Sequence, residues 1–178
     1  DLQTPLSANV EKLKSIVYQE KLGSLHDKVM ATKGLAGWLC SEMNMKDIAS
    51  MVDRAAFLAK ADLVTAMVYE FPELQGIMGR EYALRNGETD RVAVALYEQY
   101  LPRSSGDALP TDLVGALLGI AERAHIIVSC HKAGLEPSGS QDPYALRRAA
   151  RCINEILWGM GLDVDMTRLV EESCHRLT

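Results

Sequence analysis

The stretch AAFLAKADLVTAMVYEF, residues 55–71, has an apolar helical pattern that contains a single aspartate, Asp62. Leu58 lies four residues before Asp62 and Ala66 lies four residues after it, so a helix would place the carboxylate on an apolar face. A buried carboxylate needs a cation or hydrogen-bond donors, because burying an unpaired charge is unfavourable. The stretch therefore predicts a core helix and leaves three alternatives for Asp62: a metal ligand, a structural ion pair, or the remnant of an active site.

The same helical period continues along nearly the whole chain, and no run of alternating β-branched residues interrupts it. We therefore predict an all-α fold, a single helical domain over residues 1–178. Capping residues, glycines and prolines divide the pattern into helices at about 7–22, 25–43, 47–70, 72–86, 89–100, 111–132, 142–160 and 166–177, with loops at 102–110 and 133–141. Ser7, Thr111 and Asp142 are the predicted caps of three of these helices.

The composition excludes some classes of function. The formal net charge of −5 argues against a surface that is basic throughout and coats nucleic acid, although a local basic patch is compatible with it. We find no apolar run that we consider long enough to cross a bilayer and no signal-peptide pattern, so no membrane partner is expected. The sequence starts at Asp1 without an initiator methionine, which suggests a piece of a longer protein.

Three polar residues, His26, Asp62 and Glu122, lie on apolar helix faces, and these residue types can together bind a divalent metal. The three surrounding segments, LHDKVMATKGLAGWL (25–39), AAFLAKADLV (55–64) and GIAERAHIIV (119–128), resemble the metal-binding helices of the HD superfamily of phosphohydrolases. In that superfamily a His is followed by a His-Asp pair and then by a further Asp.

The resemblance to the HD superfamily implies a degenerate site. Ala61 stands where the His of the pair belongs, and Glu122 stands where the last Asp belongs. We therefore expect no metal at the vestigial positions His26, Ala61, Asp62 and Glu122, and we expect the carboxylates to pair with neighbours such as His26 or Arg123. His125, on the same apolar face as Ala121, is expected to be a satisfied core residue. The alternative is a metal-dependent HD-type phosphohydrolase acting on nucleotides.

Four longer motifs are more specific than the degenerate site: KLGSLHDK (21–28), KADLVTAMVYEFPELQGIMGREYA (60–83), EQYLPRSSGDALP (98–110) and GSQDPYALRRAA (139–150). In this order they resemble the β-subunit family of bacterial-type glycyl-tRNA synthetase, over essentially the whole chain. The resemblance implies an internal HD-like domain of a longer β-subunit, without catalytic residues, cofactor or activity of its own. It would support tRNA binding and subunit architecture in glycylation.

The same resemblance implies the partners and the location. The partners would be the α-subunit, which uses ATP and Mg, the rest of the β-subunit, and tRNA(Gly). The location would be the cytoplasm of a bacterium, or a plastid if the source is a plant. A purely architectural domain that never contacts RNA is a further alternative.

The candidate tRNA contacts are a basic cluster on one predicted helix. Arg147 and Arg151 are four residues apart and share a face, whereas Arg148 is offset by about 100°. Arginines at this density can neutralise phosphates, and the free N–H groups at the start of the helix could face an anion. Lys60 and Arg103 are further candidates. The alternative is a solvated helix face or internal salt bridges.

Overall fold

The computed structural model describes residues 1–177 and shows a mostly helical chain with one small antiparallel sheet. The strands are β1 (Val17–Gln19) and β2 (Gly23–Ser24). The helices are α1 (Leu25–Glu42), α2 (Ala49–Leu58), α3 (Ala66–Glu70), α4 (Ile77–Arg85), α5 (Asp90–Glu98), α6 (Leu113–Lys132), α7 (Leu146–Gly159) and α8 (Met166–His175). Short 3-10 helices lie at Leu6–Asn9, Glu11–Ser15, Ala61–Val64 and Pro72–Leu74.

The helix predicted at 7–22 is wrong, whereas the mostly helical character predicted for the chain is confirmed. Two 3-10 helices are followed by the β1–β2 hairpin, in which Val17 pairs with Ser24. Gly23 has a φ of 83°, which allows the chain to reverse there. The β-branched and aromatic run Ile16-Val17-Tyr18 favours an extended backbone over a helix.

The helix predicted at 25–43 is confirmed as α1. Its start is a capping box, since Ser24 Oγ accepts a hydrogen bond from the Asp27 N–H and the Asp27 carboxylate accepts one from the Ser24 N–H. Asp27 is therefore committed to the helix terminus and takes no part in the core.

The long helix predicted at 47–70 is broken into three pieces. Lys60 has φ −122° and ψ 9°, outside the helical region, and the chain continues as the Ala61–Val64 turn. Thr65 then caps α3 by accepting a hydrogen bond from the Val68 N–H. The predicted helix at 72–86 is likewise divided at Gly76, whose φ is 79°. As a result Asp62 lies in a tight turn instead of in the middle of a helix.

Helix α6 is the centre of the fold. It contacts α1, α2, α5, α7 and α8, and most of its side chains are buried. With a mean hydropathy of 1.6 it is the one helix, among residues 1–177, long and apolar enough to pass as a membrane span, a feature that the sequence analysis missed. Because 83% of that segment is buried inside the protein, α6 has the character of a core helix. The cap of α6 is Asp112 and not Thr111.

Helix α7 begins at Leu146, three residues later than predicted. The Asp142 carboxylate nevertheless caps it, accepting hydrogen bonds from the N–H groups of Leu146 and Arg147 at 2.8 and 3.0 Å. Ala145, with φ 54°, makes the turn between the cap and the helix. The predicted start of this helix is therefore wrong, but the assignment of Asp142 as the capping acid is correct.

Candidate functional site

The structure does not bring His26, Asp62 and Glu122 together as a set of metal ligands. His26 Nε2 lies 3.8 Å from a carboxylate oxygen of Glu11, whereas Asp62 and Glu122 have partners on other segments. Among residues 1–177, no group of three or more His, Cys, Asp or Glu side chains is arranged to hold a metal ion. The expected pairing of the two carboxylates with His26 or Arg123 is also wrong.

Glu122 is the centre of a buried ion cluster. Its Oε1 lies 2.6 Å from Lys28 Nζ and 3.3 Å from Lys60 Nζ, and all three side chains are at most 10% exposed. Burial alone would raise the pKa of the Glu122 carboxyl, but the charges of Lys28 and Lys60 outweigh it and hold the pKa well below its usual range. The carboxylate is thus ionised and links α1, α6 and the end of α2.

This cluster does not suit a divalent metal. Two ammonium groups already surround the one carboxylate that the predicted site would offer on α6, and their charges repel a further cation. Protonated lysines have no lone pair with which to coordinate a metal. The charge pattern is that of a structural ion cluster.

Asp62 joins the broken helical segment to α4. Its Oδ2 accepts hydrogen bonds from the backbone N–H groups of Gly76, at 2.6 Å, and Gly79, at 3.1 Å. Burial raises the pKa of Asp62, although these two donors and Lys60 act in the opposite direction. A side chain at Gly79 would bring its Cβ to 3.1 Å from the carboxylate, so the glycine allows the Asp62 turn to pack closely against α4.

Arg123 holds the segment that follows α5. Its guanidinium donates hydrogen bonds to the carbonyl oxygens of Gln99, Gly119, Tyr100, Leu101 and Pro102. Five neutral acceptors satisfy the donors of a buried guanidinium without a carboxylate. The segment 99–102 is therefore fixed against α6.

His125 is buried, but it is not the satisfied core residue that the sequence predicted. Its Nδ1 makes no hydrogen bond within the described part of the chain. Burial lowers the pKa of His125 to about 4, partly offset by the nearby Glu122 charge. The ring is consequently neutral at physiological pH.

A cleft of about 570 Å³ lies between the 99–103 segment, α6 and the start of α7. We call it the α6–α7 cleft. Its lining combines polar and apolar surface and includes three of the five basic residues predicted to contact tRNA: Lys60, Arg103 and Arg148. Lys60 is on the buried side of the cleft, whereas Arg103 and Arg148 are exposed.

The other two candidate arginines lie on the outer face of α7. Arg147 is exposed and makes no ion pair among the described residues, whereas Arg151 Nε lies 3.3 Å from Glu155 Oε1. The α7 N-terminus is not open to an anion, contrary to our expectation, because the Asp142 carboxylate already occupies it.

Sequence reasoning missed Trp158, which is 81% exposed on α7. It lies eleven positions after Arg147 and seven after Arg151, so at about 100° per residue all three side chains fall within about 40° of one another. Asn154 lies on the same face and is exposed. The spacing of eleven residues between Arg147 and Trp158 was the sequence signal that could have shown that they share a helix face. We call Arg147, Arg151, Asn154 and Trp158 the α7 stripe.

These features define a class of protein: a mostly helical module with internal ion pairs, a cleft and a basic, aromatic helix face. In it the carboxylates at the predicted metal positions, Asp62 and Glu122, have structural partners. The alternative of a metal-dependent phosphohydrolase is not supported.

Comparison with known proteins agrees with the motifs. A family model described as glycyl-tRNA synthetase beta subunit matches residues 1–178. The chain is 50% identical over 177 residues to the glycine–tRNA ligase beta subunit of Myxococcus xanthus (strain DK1622), covering 99% of this chain and 25% of that protein. It is 48% identical over 172 residues to the beta subunit of Desulforamulus reducens (strain ATCC BAA-1160 / DSM 100696 / MI-1), covering 96% of this chain and 25% of that protein.

The chain belongs to the glycyl-tRNA synthetase beta subunit family. It spans about a quarter of the length of the curated relatives that it matches.

Proposed function

We propose that this chain is a non-catalytic, HD-like helical domain of a glycine–tRNA ligase β-subunit, and that it supports tRNA(Gly) binding and subunit architecture in ATP-dependent glycylation. Under this proposal it works together with the α-subunit and the rest of the β-subunit. ATP and Mg are used by the α-subunit, and the enzyme is cytoplasmic in a bacterium or located in a plastid. Family membership over the whole chain supports the link to glycylation.

The observation that carries the RNA contact is the α7 stripe. Arg147 is exposed without an ion pair in the described part of the chain, and Trp158 is 81% exposed along the same line. Guanidinium groups pair with phosphates, and an exposed indole can stack on an unpaired base.

The architectural part of the proposal is supported by the partners of the polar core. Glu122, Asp62 and Arg123 each connect segments that are distant in the sequence, and none of them is free to act on a substrate. An ancestral metal site would become such a structural cluster once ammonium groups had taken the place of the metal's charge. This history is consistent with the HD-like segments at 25–39, 55–64 and 119–128.

The test uses the assembled glycine–tRNA ligase carrying Arg147→Gln with Arg151→Gln. We expect weaker tRNA(Gly) binding and a salt dependence reduced by about one to two in log–log slope, because each lost phosphate contact lowers the slope by about 0.7–0.9. Trp158→Ala should weaken binding without changing the slope. The readout is filter binding at several salt concentrations.

The matched control is Arg85→Gln with Lys46→Gln, which removes two exposed cations outside α7. If the α7 double variant binds tRNA with the affinity and salt slope of this control, the domain is purely architectural and the RNA part of the proposal is wrong.

A further inference from the structure

The α6–α7 cleft has two guanidinium groups, those of Arg103 and Arg148, that lack a carboxylate partner within residues 1–177, although Arg103 also packs 4.9 Å from the centre of the Tyr97 ring. Of its charged lining residues, Lys60 and Glu122 belong with Lys28 to the buried ion cluster, and Arg123 is saturated by backbone carbonyls. Arg103 and Arg148 also line the cleft, and neither makes an ion pair within residues 1–177. Their guanidinium donors are therefore available to an anion that enters the cleft.

We propose that the α6–α7 cleft binds a single nucleotide, with its phosphate on Arg103 and Arg148 and its base against Tyr144. The volume of about 570 Å³ lies within the range of about 300–1,000 Å³ that is typical of small-ligand sites. Arginine matches phosphate geometry because its planar donors can form two parallel hydrogen bonds.

The walls of the cleft are fixed before any ligand arrives. Arg123 holds the carbonyl groups of residues 99–102, which places Arg103 directly after a clamped segment. The thiol of Cys152 on α7 donates to the Pro102 carbonyl at 3.3 Å, which ties the wall that carries Arg148 to the same segment. Fixed walls reduce the conformational entropy that the backbone of the cleft loses when an anion binds.

The aromatic residues of the cleft differ in availability. The Tyr100 ring is covered by Lys60, whose Nζ lies 4.1 Å from the ring centroid. Tyr144, by contrast, is 45% exposed, so its ring can stack on a base. Glu73 and Gln75 also line the cleft and are exposed, and the Glu73 carboxylate adds one negative charge to the lining. They provide polar partners for an amino or hydroxyl group, which a bare phosphate does not have.

The nucleotide has two possible sources: a free mononucleotide, or an unpaired nucleotide of an RNA strand. The chemistry of recognition is the same for both. The inference goes beyond the proposed function, since it does not require that tRNA contact the α7 stripe.

The first arm is an NMR titration of the 178-residue chain with adenosine 5′-monophosphate, guanosine 5′-monophosphate, adenosine and inorganic phosphate. We expect saturable shifts at Tyr144 and Arg148 with the nucleotides, and weaker binding of both adenosine and phosphate. Arg103→Gln with Arg148→Gln should weaken nucleotide binding by about tenfold or more. Arg85→Gln is the matched control: it removes an exposed charge on α4, outside the cleft, and should change the affinity by less than about twofold.

Tyr144→Ala separates the base from the phosphate. This exposed residue can be replaced without disturbing the core, and the variant should lose affinity for nucleotides while keeping its affinity for inorganic phosphate. An equal loss of affinity for nucleotides and for inorganic phosphate, or no loss of either affinity, would contradict a base stacked on Tyr144.

The second arm identifies the source by photo-crosslinking tRNA to a reactive analogue at position 144 in the assembled ligase. Saturable binding of mononucleotides in the first arm indicates a free nucleotide, and a cross-link without mononucleotide binding indicates an RNA nucleotide. The inference is overturned if neither occurs, or if binding persists in the Arg103→Gln, Arg148→Gln variant. A cross-link at position 158 but not at 144 would support the proposed function and contradict the cleft.

Discussion

The Lys28 ammonium lies 2.6 Å from a carboxylate oxygen of Glu122, although the two residues are 94 positions apart in the chain. The pair ties α1 to α6 inside the core, and Lys60 adds a second ammonium 3.3 Å from the same oxygen. A buried charge with well-placed partners is tolerated, but a partner left alone is strongly destabilising. The stability of the fold should therefore be unusually sensitive at this position.

Replacing Glu122 with Gln should lower the free energy of unfolding by about 3–5 kcal/mol, because two lysines would then be buried without a counter-charge. The measurement is urea unfolding followed by circular dichroism. The control is Glu155→Gln, which removes a partly exposed carboxylate paired with Arg151 and should change stability by about 1 kcal/mol or less. Similar losses in the two variants would mean that the cluster contributes no more than a surface ion pair.

Replacing Asp62 with Ala should destabilise the fold by about 2–4 kcal/mol, since the N–H groups of Gly76 and Gly79 would lose their acceptor in a buried site. Asp62→Asn keeps one oxygen acceptor and should be less harmful. Hydrogen exchange at Gly76 and Gly79 provides the readout. Unchanged protection of both amides in Asp62→Ala would show that the carboxylate does not hold the turn.

Stability should fall as the pH drops from about 6.5 towards 4, in part because of His125. Its pKa is lowered from 6.5 to about 4 by burial, so the unfolded chain binds a proton in this range that the folded chain does not. This contribution to the free energy of unfolding is fully present above pH 6.5. Between pH 6.5 and pH 4 it decreases by about 1.4 kcal/mol per pH unit, or roughly 3 kcal/mol in total.

The check is urea unfolding of the wild type and His125→Leu between pH 4 and pH 7. The variant should show a shallower decline, because the titrating ring is absent. His131→Leu, which removes an exposed ring beside Glu136, should follow the wild type. Parallel curves for all three proteins would mean that His125 does not couple folding to protons.

Metal addition or removal should leave the protein unchanged. Because two ammonium groups surround Glu122, we expect no stoichiometric zinc or manganese by elemental analysis, and the same melting temperature with and without a chelator. No nucleotide hydrolysis should appear on addition of manganese. Stoichiometric metal that is lost in both His26→Ala and Asp62→Ala would instead revive the hydrolase.

Local sequence signals predicted the elements whose ends are set by neighbouring residues. The start of α1 follows from Ser24 and Asp27, and α5 follows from the Thr89 cap. The breaks at Lys60 and Gly76 were missed because the apolar period runs through them unaltered. Thr65, a cap residue inside the apolar run, was the signal that should have divided the segment.

The sequence by itself determined the helical character of the chain, the burial of Asp62 and Glu122, and, through four ordered motifs, the family. Helical period and capping act over a few residues, so they can be read directly from neighbours in the chain. Only the tertiary structure decided which donors the carboxylates meet and that Arg103 and Arg148 share a cleft. These pairings join segments far apart in sequence, and their geometry is fixed by the packing of whole helices around α6.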